Sequence, residues 1–165
     1  MTDTPPRYAG FWIRFLADLI DSIVVAVVSA AIGLVFLGII YWIRVIIESR
    51  SGLNPAPFWD AFNPFWIQVG YYAIQALVGF PYFVYSTHRY GTTIGKYPFK
   101  VYVVNFPDLQ PISLRQSVTR CVGYTVSYLP LAAGYILAGV HPEKRALHDL
   151  MAGTCCIYRD RTSGS

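Results

Sequence analysis

The chain has 165 residues, 55% of them hydrophobic and 13% charged, with a mean hydropathy of +0.42 and a formal net charge of +4. A soluble domain carries about 25% charged residues, so this composition excludes an ordinary soluble module and marks a membrane protein whose partner is the lipid bilayer. The basic residues form no compact run, which argues against nucleic acid; such an excess belongs in cytoplasmic loops facing anionic lipid.

The first eight residues are polar with two prolines, and the apolar stretch after them has no cleavage site, so no signal peptide is expected. Residues 11–47 then read as one long helix. Arg14, Asp18 and Asp21 occupy its first turns at spacings of four and three, which puts them on one face. From Ser22 to Ile43 there is no ionisable side chain apart from Tyr41; these 22 residues make roughly 33 Å of helix, enough to cross a bilayer core of about 30 Å. Ser22, Ala26 and Ala30, with Ser29 and Gly33 beside them, form a small-residue face suited to helix packing. Asp21 to Arg44 already covers about 34 Å, so the three charges sit at or outside the interface, not at the midplane.

Residues 51–64 carry Gly52, Pro55, Pro57 and Pro64 among aromatic residues and read as an interfacial loop, with Phe58, Trp59, Phe62 and Trp66 at the membrane surface. A second span is expected over 65–85. Along it Gln68, Tyr72 and Gln75 begin a polar stripe that either bonds to the first helix or lines a hydrated path. Residues 86–116 are the most basic stretch and by the positive-inside rule cytoplasmic, which puts the N-terminus inside. Here Gly91-Thr-Thr-Ile-Gly95-Lys96 is not a phosphate loop: it has one residue too few between the glycines and no Ser or Thr after the lysine. Residues 100–104 have strand character, with 109–112 or 154–158 as a partner strand.

The third apolar stretch, 121–140, has Pro130 at its centre and glycines at 123, 134 and 139. It is either a broken helical hairpin that enters and returns, which keeps the basic tail cytoplasmic, or a simple third span. The fold class expected is therefore a membrane all-α protein with two full transmembrane helices, this third segment and a small cytoplasmic β element. One domain covers 1–161, and 162–165 is a short polar tail. His88, His141 and His148 are too separated to make a metal pair, and Cys121, Cys155 and Cys156 follow no C-x-x-C spacing, so neither metal nor cofactor is expected. Nothing pairs a nucleophile with a base, which argues against an enzyme.

Three ordered motifs carry a family resemblance. Tyr8-Ala-Gly-Phe-Trp-Ile-Arg14, running on to Asp21, resembles the opening of the RDD family of small bacterial membrane proteins. Gly91-Thr-Thr-Ile-Gly95-Lys96 is similar to that family's G-x-T-x-G-K segment, in which Gly91, Thr93, Gly95 and Lys96 are the matching positions, and Lys144-Arg145-Ala-Leu-His148-Asp149 to its closing motif. The resemblance implies that the arginine and two aspartates of the family name are Arg14, Asp21 and Asp149, with Asp18 an extra acid. It also implies a bacterial inner-membrane location and transport, with cation/proton exchange in some members. The expected site is thus a charged constellation of Arg14, Asp18, Asp21, His148 and Asp149, serving as an interfacial latch, an ion or proton site, or both. Two and a half spans cannot enclose much of a pore, so the chain is expected to work as a homo-oligomer or within a larger membrane complex, where it transports or serves as a non-catalytic accessory subunit.

Overall fold

The computed structural model describes residues 6–55, 57–60, 64–128, 138–139 and 141–159. Helix α1, Phe11–Arg50, has 40 residues and so extends about 60 Å, well beyond a bilayer core at one or both ends. It is long and apolar enough to cross a membrane. It stops where Gly52 takes a left-handed φ of 74° and the Ser51 hydroxyl donates back to the Ile47 carbonyl at 3.0 Å. After a short 3-10 turn, Phe58–Asp60, helix α2 runs Pro64–Tyr90, opening on a proline whose missing N–H costs nothing there. It ends at Gly91, φ 65°. Strand β1, Val101–Asn105, precedes α3, Leu114–Tyr128, and the short α4, Leu147–Ala152, which leads into β2, Thr154–Tyr158. The fold is mostly helical with one two-stranded sheet.

The chain divides into two compact units, Ile23–Gly79 and the combination of Met1–Ser22 with Phe80–Ser165. In the first, α1 and α2 meet through small residues: a Cβ at Gly79 would stand 3.4 Å from Val25, and one at Gly33 would stand 3.8 Å from Ile74. Ser29 is fully buried and Ala26 and Ala30 half-buried, while Ser22 is exposed. The remaining faces present Leu34, Val35, Phe36, Trp66 and Leu77 outward, the pattern of helices whose solvent is hydrocarbon.

In the second unit β1 and β2 pair antiparallel, Val103 opposite Cys156, and residues 7–9 add a partial third edge through Ala9 N–H to the Cys156 carbonyl at 2.9 Å. Val101, Val103, Cys156, Ala9 and Ile112 fill one face of this sheet, and Val104, Cys155 and Ile157 the other. Covering both faces lets a sheet of only two strands persist. The alternative partner strand at 109–112 does not form. Asn105 donates to Asp108 at 2.6 Å, Leu109 turns left-handed at φ 58°, and Ile112 enters the core instead of a ladder. Helix α3 opens with a capping box: Gln116 N–H donates to the Ser113 hydroxyl at 3.2 Å and Ser113 N–H to the Gln116 side-chain Oε1 at 2.9 Å. The residues that decide between a hairpin and a third span, 129–137 and 140, lie outside the described residues; α3 takes in the start of that stretch.

Candidate functional site

The site belongs wholly to the second unit and grows from the first three turns of α1. Arg14, Asp18 and Asp21 are spaced four and three apart, and each takes a different partner.

Arg14, 3% exposed, pairs through Nη1 with Asp149 Oδ2, and Arg120 of α3 pairs through its own Nη1 with Asp149 Oδ1. One fully buried carboxylate thus holds two guanidinium groups. Asp149 sits in the first turn of α4, where its Oδ2 also accepts from Ala146 N–H at 3.1 Å, so the acid caps the helix that carries it. Arg120 donates further to the hydroxyls of Thr154 at 2.7 Å and Tyr124 at 3.2 Å. Burial alone would raise the Asp149 pKa, but Arg120 and then Arg14 outweigh it and hold the carboxyl well below its ordinary range. His148 faces the opposite balance. Burial, against the pull of Asp149 and with help from Arg120, Arg14 and Lys96, lowers its pKa to about 3, so the ring is neutral; it packs 4.2 Å from Tyr124.

The segment after α2 supplies the other two partners. Lys96 Nζ donates to Asp18 Oδ1 at 2.7 Å. Burial opposes the ammonium charge, yet Asp18 more than compensates and keeps Lys96 above the usual lysine value. Asp21, 0% exposed, accepts from Thr93 Oγ1 at 2.5 Å, Gly95 N–H at 2.7 Å and Tyr82 OH at 2.6 Å. Among the described residues it makes no ion pair with a cationic side chain. Gly95 is indispensable to this arrangement: a Cβ there would overlap the Ala17 carbonyl oxygen and lie 2.8 Å from Asp21 Cγ. After Lys96 the chain makes one 3-10 turn, Tyr97–Phe99, and the left-handed position that follows falls on Lys100, φ 55°.

The structure therefore gathers Arg14, Asp18, Asp21, His148 and Asp149 with Thr93, Gly95 and Lys96 into one buried constellation, but as two bonded groups. Arg14 is held by Asp149 and not by Asp21. The two lie seven residues, roughly 10 Å, apart along α1, too far to share a guanidinium. Asp18, an extra acid by the family resemblance, carries the Lys96 ion pair. Gly91 ends α2 and presses its carbonyl on Val103 N–H at 2.6 Å. Gln68, Tyr72 and Gln75 are not part of the site. Gln68 donates to Tyr72 at 3.4 Å and Gln75 to Tyr71 at 2.8 Å, within α2 itself and not to α1.

Arg120 escaped the sequence reading because it stands alone before an apolar stretch. Its signal was the spacing of Ser117, Arg120 and Tyr124, which places three polar groups on one face of α3. Arg14, Lys96 and Arg120 balance Asp18, Asp21 and Asp149, so with His148 neutral the cluster carries no net charge. Arg14 Nε and Nη2 remain buried without a partner among the described residues. No group of three His, Cys, Asp or Glu is placed to hold a metal ion among the described residues.

Comparison with known proteins agrees with the three motifs. The RDD family model matches residues 8–153. "Uncharacterized protein YxaI" of Bacillus subtilis (strain 168) is 26% identical over 155 residues, spanning 92% of this chain and 97% of that protein. No solved structure matches the chain. With the apolar α1, the family match makes this a membrane protein, and the chain belongs to the RDD family.

Proposed function

We propose that this chain is a small transporter, or transporter subunit, that exchanges a proton, a monovalent cation or another small solute at Asp21. Its setting in this reading is the bacterial inner membrane, crossed fully by residues 11–47 and 65–85, with the N-terminus cytoplasmic and with assembly as a homo-oligomer or in a larger complex. One observation carries the proposal: among the described residues, Asp21 is the acid of the constellation left without a cationic partner, while Asp18 and Asp149 are neutralised by Lys96, Arg14 and Arg120. A buried carboxylate served only by neutral donors is a favourable place for a mobile cation.

The chemistry couples occupancy to conformation. Ionised Asp21 collects the Thr93 hydroxyl and the Gly95 amide, and so docks residues 91–96 on α1. A proton on that carboxyl turns an acceptor into a donor, and a bound cation takes the same oxygens; either one competes with the docking bonds. Vesicles reconstituted with the purified protein and loaded with a pH-sensitive dye test this. Imposed sodium, potassium or proton gradients should drive dye responses that empty vesicles lack. Vesicles that stay silent under every gradient overturn proton or cation exchange at Asp21.

A second reading, a non-catalytic accessory subunit, is favoured by the closure of the Arg14–Asp149–Arg120 and Lys96–Asp18 pairs, which resemble a fastening more than a path. A large stoichiometric partner co-purifying in mild detergent supports it.

A further inference from the structure

A cavity of about 420 Å³ opens beside Asp21, lined by Tyr82, Tyr85, Tyr90, Tyr97, Thr93 and other residues of α2 and the segment after it. We infer that it is a binding site for a methylated ammonium group, of the kind carried by choline and by phosphocholine lipid headgroups. Four tyrosines surround one space. The rings of Tyr85 and Tyr90 stand 6.0 Å apart at 83°, forming two walls of a corner, and both residues are more than half exposed, so the mouth is open. Aromatic faces attract cations, and alkylated ammonium ions gain most because they surrender little hydration on entering an aromatic cage.

The charge behind the cavity fixes the sign of the ligand. Tyr82 and Thr93, which line it, donate both their hydroxyls to Asp21 at 2.6 and 2.5 Å, and Tyr82 is locked further by Ile94 N–H at 2.9 Å. The nearest wall groups are thus polarised by a carboxylate, a setting that repels anions. Lys96 does not cancel it there, since its ammonium is spent on Asp18. The lining is predominantly apolar and the hydroxyls of Tyr82 and Thr93 are already committed to Asp21, which favours a bulky, diffuse cation over a bare sodium ion that needs several free oxygens converging on one point. The inference uses the negative charge on Asp21 but needs no turnover, so it stands or falls apart from ion flux.

The test is equilibrium binding to the full chain in phosphatidylglycerol nanodiscs, with choline as the probe and 3,3-dimethyl-1-butanol as its uncharged isostere. Choline should bind saturably and about tenfold more tightly than the alcohol. Tyr85→Leu and Tyr90→Leu, at exposed positions that leave the fold intact, should each weaken choline several-fold, and Tyr85→Phe should not. Asp21→Asn should weaken choline and spare the alcohol. Nanodiscs of phosphatidylcholine distinguish the source: loss of choline binding there assigns the site to the lipid headgroup, and unchanged binding assigns it to a free solute. Equal binding of choline and the alcohol, or unaltered choline binding by Tyr90→Leu in a folded protein, overturns the inference.

Discussion

At the scale of single residues, the central fact is that Asp149 neutralises two arginines at once. Removing one member of a buried pair leaves an uncompensated charge, which costs about 3–5 kcal/mol, and removing Asp149 leaves two. Asp149→Ala should therefore lower the melting temperature in detergent more than Arg14→Ala, and the double variant should lose less than the sum of the two. Strict additivity would show that they share no interaction. His148 makes a pH prediction. Its folded pKa lies at about 3, below the ordinary value near 6.5, so between those values the unfolded chain binds the proton and the folded chain does not. Stability contributed by the neutral ring is full above pH 6.5 and is lost as pH falls toward 3. His148→Phe should flatten the melting-temperature profile between pH 6 and 4.5; an unchanged slope assigns the acid sensitivity elsewhere.

At the scale of elements, two glycines set how closely the segments approach. Gly95 lets residues 91–96 lie on α1 against the Ala17 carbonyl, and Gly123 lets α3 meet α4, since a Cβ there would stand 2.9 Å from His148 Cβ. Gly95→Ala should destabilise by about 1–3 kcal/mol or more, because backbone and not a flexible side chain must yield. Gly38→Ala, with nothing within 4 Å of the added Cβ, should be neutral or slightly stabilising in the same melts. Comparable losses at both positions would mean that Gly95 is not a contact point. Helix α1, the start of α2 and the strand character of 100–104 were legible, because hydropathy and turn residues report local constraints, whereas the joining of Arg14 with Asp149 came from the family resemblance. The pairing of Asp18 with Lys96 and of Asp21 with Thr93 joins residues more than 70 positions apart, and spacing along a chain holds no record of such partners. Arg120, 29 positions from Asp149, was missed because it stands alone before an apolar stretch.

At the scale of the whole molecule, chemically identical side chains have different work under the proposed function: Asp149 fastens, and Asp21 is the proposed point of exchange. The assignment rests on partners, since Asp149 is held by two cations and Asp21 by hydroxyls and an amide. Substitution by asparagine preserves shape and part of the hydrogen bonding at either position while removing the charge. At Asp149 it strands two guanidinium groups in a buried site; at Asp21 it strands none. The most direct measurement is ion flux into reconstituted vesicles for Asp21→Asn and Asp149→Asn, taken beside the melting temperature of each. Asp21→Asn should carry no flux and should lose less melting temperature than Asp149→Asn, which strands two guanidinium groups. Wild-type flux in a fully charge-neutralised Asp21→Asn protein would contradict the assignment.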